Sequence, residues 1–323
     1  MDVAQQIQAI RAHAGVALRP EVRTLRLEGP DRVRFLDGMV SNAVATLEVG
    51  QGCVAIKPSN RGRIEGLVRV RCREESFDID LLEVVAESVR KTLDMFIIMD
   101  DCVIGDVSST RDVVTLLGPK ADDVVAGLGV QPAVSDHGFT VVGELVAIRD
   151  RTLGVPGWEL HVPAGQGAEV RDQLVQQGAT GVSAEAFDVV RVESGEPIDG
   201  RDLDDDTIPM EARLERALSF DKGCYVGQEV IARGKLLGQV NHLLVGLQLQ
   251  GKGAPPEDTP LYEADGERAI GELTSVVESP DAGLIAIGYV RRKFEATGTE
   301  LVARTEGGSW SATVASLPFV PVK

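Results

Sequence analysis

Along most of this chain apolar and polar residues alternate with a period of two, interrupted by a few runs at helical spacing and by clusters of Gly, Pro, Asn and Asp. Val3, Ile7 and Ile10 predict a peripheral helix over 3–14 that Gly15 stops. A strand over 24–28 then leads to a short helix with Val33 and Leu36 on one side and Asp31 placed to cap it. Residues 54–56 and 64–70 flank the turn-forming run Pro58-Ser59-Asn60-Arg61-Gly62 and predict a hairpin. A strand over 77–82, a helix over 84–95 and a strand over 102–107 follow. Three strands, a helix and a strand in that order predict an α+β sandwich rather than a doubly wound nucleotide fold.

A second α+β unit begins near Val113, where a strand breaks at Gly118-Pro119 into a helix over 121–127. Strands over 145–149 and 158–162 come next, with helices over 168–177 and, behind a Ser183 cap, over 184–193. After His242 the texture changes to short strands between Gly and Pro clusters, over 243–249, 269–277, 284–289, 300–303 and 311–315. That spacing predicts a small β-barrel or sandwich. The expected division is therefore 1–238 for the two α+β units and 239–323 for the barrel, with the boundary near Gly238.

Charge narrows the function classes. Lys and Arg number 33 against 50 acids, a formal net charge of −17, and such a field repels polyanions unless the basic residues gather locally. Aromatics are 4% of the chain, so a base-stacking platform would be short of material and no direct nucleic-acid binding is expected. No stretch approaches the roughly 20 apolar residues of a membrane helix. Met1-Asp2-Val3-Ala4 lacks the basic and apolar regions of a secretory leader, so a cytoplasmic location is expected. Cys53, Cys72, Cys102 and Cys224 contain no Cys-x-x-Cys pair and read as reduced thiols rather than a compact zinc site. The acidic run at 202–206 lacks the Gly and Glu of a calcium loop and is expected to be solvated, so no metal is expected. A phosphate-binding Gly-x-x-x-x-Gly-Lys motif is missing too, and ATP chemistry is not expected.

The densest chemistry lies in Lys222-Gly223-Cys224-Tyr225-Val226-Gly227-Gln228-Glu229-Val230-Ile231-Ala232-Arg233. Cys224 with Lys222 forms a candidate reactive pair, because a nearby ammonium favours the thiolate, although Asp221 opposes it. Tyr225, Gln228, Glu229 and Arg233 are candidate ligand contacts. No histidine is adjacent to serve as a base, so a hydrolase-type triad is unsupported. A plain turn and amphipathic helix, with Cys224 as a small hydrophobe, is the competing reading.

Lys-Gly-Cys-Tyr-x-Gly-Gln-Glu resembles the signature of the YgfZ-type folate-binding proteins, relatives of the glycine-cleavage T-protein (aminomethyltransferase) tied to iron-sulfur enzyme maintenance. Further blocks resemble the same family: Phe35-Leu36-Asp37-Gly38-Met39-Val40-Ser41-Asn42, Arg191-Val192-Glu193-Ser194-Gly195-Glu196-Pro197, Ile208-Pro209-Met210-Glu211-Ala212 and Ile287-Gly288-Tyr289-Val290. The fold this implies is two α+β units and a C-terminal barrel around a central channel. The resemblance implies tetrahydrofolate, or a one-carbon derivative, as cofactor. It makes Glu193 the acid that accepts the two donors of the pterin edge. Arg61, Arg63, Arg233 and Lys235 are candidates for a cationic mouth facing the anionic folate tail.

T-proteins also resemble one another in an Asn-x-x-Asn-x-x-x-Asp block, whose Asp activates the folate. The corresponding stretch here begins Leu81-Leu82-Glu83-Val84-Val85-Ala86-Glu87-Ser88-Val89 and holds neither Asn nor the Asp, leaving Glu83 and Glu87 as the only conceivable substitutes. Losing a positioned acid-base group costs a factor of about 10² to 10⁴ in rate. The first expectation is thus a folate-binding protein that supports iron-sulfur client or assembly proteins. The alternatives are a one-carbon-transferring aminomethyltransferase and an accessory protein in tRNA modification.

Overall fold

The computed structural model describes residues 1–131, 135–237 and 240–321. The chain opens with α1 (Val3–Ala12), β1 (Gly15–Leu18), β2 (Val22–Glu28), α2 (Arg32–Met39), β3 (Gly52–Pro58), β4 (Ile64–Cys72), β5 (Ser76–Leu82), α3 (Glu83–Phe96) and β6 (Val103–Asp106). It continues through β7 (Arg111–Leu117), α4 (Ala121–Ala126), β8 (Phe139–Val142), β9 (Leu145–Asp150), β10 (Gly157–Pro163), α5 (Gly167–Gln176), β11 (Thr180–Gly181), α6 (Ala184–Ser194) and α7 (Gln228–Leu237). The last part is β12 (His242–Gln250), β13 (Pro260–Tyr262), β14 (Gly271–Ser279), β15 (Gly283–Arg291), β16 (Glu300–Thr305) and β17 (Gly308–Ala315).

The first unit is a five-stranded antiparallel sheet in the order β3-β4-β5-β2-β6. Alternation along its strands sends Val68, Val70, Phe77, Ile79 and Leu81 to one face, where Phe35, Leu36 and Met39 of α2 and Ala86, Val89 and Leu93 of α3 cover them. The opposite face carries Leu67, Arg69, Arg71, Asp78 and Asp80. In the second unit the order is β11-β1-β7-β10-β9-β8. Here Trp158 and Leu160 of β10 point into a core with Val114 and Leu116, while Glu159 and His161 point the other way. Asp78, Asp80, Arg71, Glu159 and His161 are all buried, and His161 Nε2 lies 3.9 Å from Asp80 Oδ2. The polar faces of the two sheets therefore meet each other rather than water.

The third unit is a closed six-stranded barrel, β12-β15-β14-β13-β16-β17, with a register shift between Leu273 and Ser275. The α+β fold with a C-terminal barrel follows the expectation from sequence, with differences in detail. The barrel holds β13, a three-residue strand too short to register as a periodic run. The N-terminal helix ends at Ala12, and it is not peripheral: Ile7 and Ile10 are 1% exposed and pack with Val189 and Val190 of α6. β1 leaves the first unit and pairs with β7 and β11 in the second sheet. Asp31 makes no side-chain cap on α2; its carboxylate instead accepts the Asp101 backbone N–H at 2.8 Å. Ser183 does cap α6, accepting from the Ala186 N–H at 3.2 Å. The boundary placed near Gly238 lies outside the described residues.

The acidic run is not simply solvated. Asp202 is buried and accepts from Arg191 at 2.8 Å, the Ile198 N–H at 3.1 Å, Thr274 Oγ1 at 2.5 Å and Ser275 Oγ at 2.7 Å. Its backbone oxygen takes the Tyr289 hydroxyl at 2.9 Å. The Asp202 carboxylate thus clasps α6 to strand β14 of the barrel and its backbone oxygen reaches β15, and only Asp204, Asp205 and Asp206 of the run are exposed. Among the described residues no helix is long and apolar enough to cross a membrane.

Candidate functional site

Main-chain partners fix the segment from Lys222 to Gln228. The Lys222 ammonium donates to the carbonyls of Asp37 at 2.6 Å, Val40 at 3.0 Å and Asn42 at 2.8 Å, and lies 3.1 Å from Asp37 Oδ1. The Val226 N–H donates to the Gly38 carbonyl at 3.0 Å. The early block around Phe35–Asn42 and the Lys-Gly-Cys-Tyr block, far apart in sequence, are stitched together in this way. Tyr225 is buried with Val54, Ile56, Ile64, Leu214 and Ile231, and the Gln228 side chain accepts its backbone N–H at 3.3 Å.

Gly227 has φ +77°, and a Cβ there would collide with the Ser59 carbonyl, so only glycine lets the segment close onto the β3–β4 turn. Glu229 and Arg233 are exposed on α7 and lie 3.8 Å apart. Cys224 is exposed. Burial pushes the Cys53 thiol up to about 12, against the opposing pull of the Lys222 ammonium. Burial lowers the Lys222 pKa, while its bond to Asp37 resists that shift. The expected pairing of Lys222 with Cys224 is not among the contacts of this ammonium, which are three main-chain carbonyls, Asp37 and the Tyr225 ring, 5.2 Å to its centre.

Between the two sheets and the chain following α6 lies a central cavity of about 920 Å³ counting its open mouth. Its apolar wall includes Leu67, Leu81, Leu82, Leu117, Leu153, Phe187 and Ile198; its polar groups include Arg19, Arg69, Asp80, Asp150, Glu159, Glu196, Asp199 and Arg216. The Arg19 guanidinium stacks on Phe187, 4.4 Å from the ring centre. Arg69 pairs with Glu159 at 2.8 Å and Asp150 at 3.2 Å, and Glu159 also contacts His161 at 2.9 Å. Burial opposes ionisation of Glu159, yet Arg69 and His161 prevail and hold its pKa well below the usual carboxylate range. Burial acts unopposed enough on two others: it pushes Glu196 up to about 7 despite Arg216, and Asp199 up to about 7 despite an N–H bond from Leu67. Sequence reasoning missed this cavity set. Its signal was the alternation Arg69/Arg71, Asp78/Asp80 and Glu159/His161, which looks like an ordinary solvent face.

Glu193 stands elsewhere. It is 3% exposed, its Oε2 pairs with Arg11 of α1, and its Oε1 has no hydrogen-bond partner among the described residues. It lines a second cavity shared with Gln8, Pro119, Val155, Asp281 and Pro318. Cys224 lines neither cavity, so the structure does not bring Glu193 and Cys224 to a common hollow. Glu83 and Glu87 are 63% and 60% exposed and pair with Arg23 and with Arg90 and Lys91; both stand on the surface rather than on the central cavity. Arg61 and Arg63 do share an outer cavity, but with Glu65, Asp204, Asp205 and Asp206, so that mouth is predominantly acidic. The Lys235 side chain lies outside the described residues.

Comparison with known proteins places this geometry in context. Residues 1–222 match the GCVT N-terminal domain, and residues 243–321 match the glycine cleavage T-protein C-terminal barrel domain. An aminomethyltransferase of Listeria monocytogenes is 25% identical over 97% of this chain and 88% of its own length. One from Thermosynechococcus vestitus is 28% identical over 98% and 87%. The crystal structure of glycine cleavage system aminomethyltransferase T from Bartonella henselae superposes with a TM-score of 0.90 at 25% identity, covering 99% of this chain and 90% of that one. With both of its domain models matched in order and the fold shared from end to end, the chain belongs to the glycine cleavage T-protein family, whose members use tetrahydrofolate.

Proposed function

We propose that this chain binds a reduced folate in the central cavity and, in the manner of the YgfZ-type proteins it resembles, supports the assembly or repair of iron-sulfur proteins without catalysing aminomethyl transfer. The observation that carries the reading is the wall at the end of β5. The block that the resemblance ties to folate activation begins there with Leu81 and Leu82, which line the cavity, and its far end, where the acid would stand, is Ser88-Val89 on α3 and carries no carboxylate. The two nearby glutamates point to solvent, so neither can hold or move a proton at a bound one-carbon unit.

A folate fits the cavity chemically. Aliphatic side chains flank the flat ring, carboxylates can accept its donors, and Arg19, Arg69 and Arg216 offset the acids. When bound, the folate would supply a one-carbon carrier or a redox-active ring; the protein's part is to bind it, orient it and keep water from it. The client contact is assigned to the exposed Cys224, presented on a segment that Lys222, Tyr225 and Gln228 hold against the first unit.

Two experiments test the reading. Purified protein incubated with tetrahydrofolate and an aminomethylated carrier protein should form no methylene-tetrahydrofolate. Cells lacking the chain should lose activity of iron-sulfur enzymes, and Cys224→Ala should fail to restore it where wild type succeeds. A second reading, aminomethyltransferase activity, is favoured by the names of the relatives and by their coverage of nearly the whole chain; methylene-tetrahydrofolate formed at an enzymatic rate would establish it. A role in tRNA modification would act through an iron-sulfur modifying enzyme, and submicromolar tRNA binding at physiological salt would replace that view with direct contact.

A further inference from the structure

Glu193, near the end of α6, takes no part in the central cavity, and its surroundings have a chemistry of their own. Its side chain is 4% exposed, and Oε2 pairs with Arg11. Among the described residues Oε1 is the one buried carboxylate oxygen without a hydrogen-bond partner. Such an atom bears the full cost of desolvation until a donor reaches it.

The cavity that Glu193 lines measures about 1000 Å³ counting its open mouth, and it lies where α1 and α6 meet the barrel. Helix α1 supplies Gln8, Arg11 and Ala12, the turn between β14 and β15 supplies Asp281, and the chain beyond β17 supplies Pro318. These segments are tied to one another. The Phe319 N–H donates to the Glu193 carbonyl at 2.8 Å. The Gln8 amide donates to Asp281 Oδ2 at 3.2 Å, and Arg11 forms ion pairs with both Glu193 and Asp281. The walls are therefore in place before any ligand enters.

Two carboxylates face one guanidinium, so the lining holds one negative charge in excess. Ser194 also lines the cavity; its hydroxyl donates to the Arg191 carbonyl at 2.7 Å, which leaves the oxygen lone pairs as acceptors. Glu193 Oε1, Asp281 and Ser194 thus offer acceptors alone, and the group that matches them is a cation with three N–H donors. Leu153, Val155, Pro156 and Val190 offer side chains with nothing polar, which suits an aliphatic stem.

We propose that this cavity binds a primary alkylammonium ion, its ammonium donating to Glu193 Oε1, Asp281 and Ser194 and its stem lying against the aliphatic wall. A neutral or anionic ligand would leave the surplus charge unmet. The inference does not rest on the folate reading, since Leu153 is the one lining residue that the two cavities have in common.

The test titrates pentylamine, cationic at neutral pH, into the full chain by calorimetry, with pentanol as its uncharged counterpart. Salt at about 0.15 M screens the diffuse attraction of a chain of net charge −17. Wild type should bind the amine saturably at one site and the alcohol about 10-fold or more weakly, the effect of losing hydrogen bonds to a charged group. Glu193→Gln should weaken the amine about 10-fold or more, and Asp281→Asn, at a partly exposed position, about 3-fold. Ala12→Trp fills the cavity from its exposed rim without changing a charge and should abolish the binding. Glu87→Gln removes an exposed acid that does not line this cavity and should stay within about 2-fold of wild type. Wild type that shows no saturation, or that binds pentanol as tightly as the amine, would overturn the assignment. So would unchanged affinity in a folded Glu193→Gln or Ala12→Trp variant, or an equal loss in Glu87→Gln. Ala12→Trp decides the matter should Glu193→Gln fail to fold.

Discussion

Replacing Asp202 by alanine should be among the most damaging single changes in this protein. The side chain is wholly buried and gathers an arginine, a backbone N–H and two hydroxyls from three separate segments. Its loss leaves Arg191 with Asp188 at 2.7 Å, the Glu196 carbonyl at 2.7 Å and Ser275 at 2.9 Å, so the guanidinium is not wholly stranded. Breaking a buried charge pair from one side costs about 3 to 5 kcal/mol. The remaining bonds of Arg191 argue for the lower half of that range, while the orphaned Ile198 N–H pulls it back upward; the hydroxyls lose one acceptor but keep partners, Thr274 in the Ile287 carbonyl at 3.2 Å and Ser275 in Arg191. An expected loss of about 4 kcal/mol corresponds to a fall in the thermal midpoint of roughly 8 to 16 °C, at about 2 to 4 °C per kcal/mol for a chain of this general size. Asp202→Asn, which keeps the shape and one acceptor, should lose about half as much. Urea unfolding followed by circular dichroism measures both. A loss under about 1 kcal/mol for the alanine variant would refute the clasp, since only a solvated loop acid is removed so cheaply.

Three further outcomes follow from the same geometry. Glu196 and Asp199 keep their protons in the folded chain up to about pH 7, whereas the unfolded chain releases them near pH 4, about the ordinary carboxylate value. The folded state therefore binds more protons across that window, and stability should fall as pH rises through it. Asp78 and Asp188, held low by arginines although burial opposes it, act the other way as the medium turns more acidic. The thermal midpoint should thus peak at about pH 4, at the acid edge of that window, and Asp199→Asn should flatten the decline toward about pH 7; a midpoint that rises steadily from about pH 5 to about pH 8 contradicts the assignment of these two acids. Lys222→Met strips three carbonyls and Asp37 of their cation and should cost about 3 kcal/mol in urea unfolding, and a variant as stable as wild type would mean the ammonium does not anchor the segment. Gly227→Ala places a side chain at positive φ against the Ser59 carbonyl and should cost about 1 to 3 kcal/mol; a stabilised variant would show that the turn contact is absent in solution.

Much of the fold was legible because its signals are local. The order of β3, β4, β5, α3 and β6 follows from alternation and helical spacing punctuated by glycine and proline, and the same marks separate most of the barrel strands. What escaped depends on partners distant in sequence. Nothing within Gly15–Leu18 says that this strand pairs with β7 rather than with its neighbour β2. Arg71, Asp80, Glu159 and His161 occupy positions that alternation assigns to water, and only the apposition of a second sheet with its own polar face buries them. Asp199 is one more acid in an acidic loop until Leu67 and the cavity are seen beside it.

The Lys-Gly-Cys-Tyr segment presents the same difficulty in sharper form. A dense motif suggests that each of its polar residues serves chemistry. Here the ammonium of Lys222 is spent on the carbonyls of Asp37, Val40 and Asn42, and main-chain carbonyls carry no mark in a sequence. Tyr225 fills a core, Gln228 holds a turn, and Gly227 permits a close approach to Ser59. These roles account for why such residues recur together, since each depends on the others and on the block at Phe35–Asn42. Cys224 is the member that this scaffolding leaves exposed, and no hydrogen bond or ion pair among the described residues engages its side chain. The physical content of the motif is therefore a rigid mount for one thiol, and the proposed folate site is assigned to a different part of the molecule, the cavity between the two polar sheet faces.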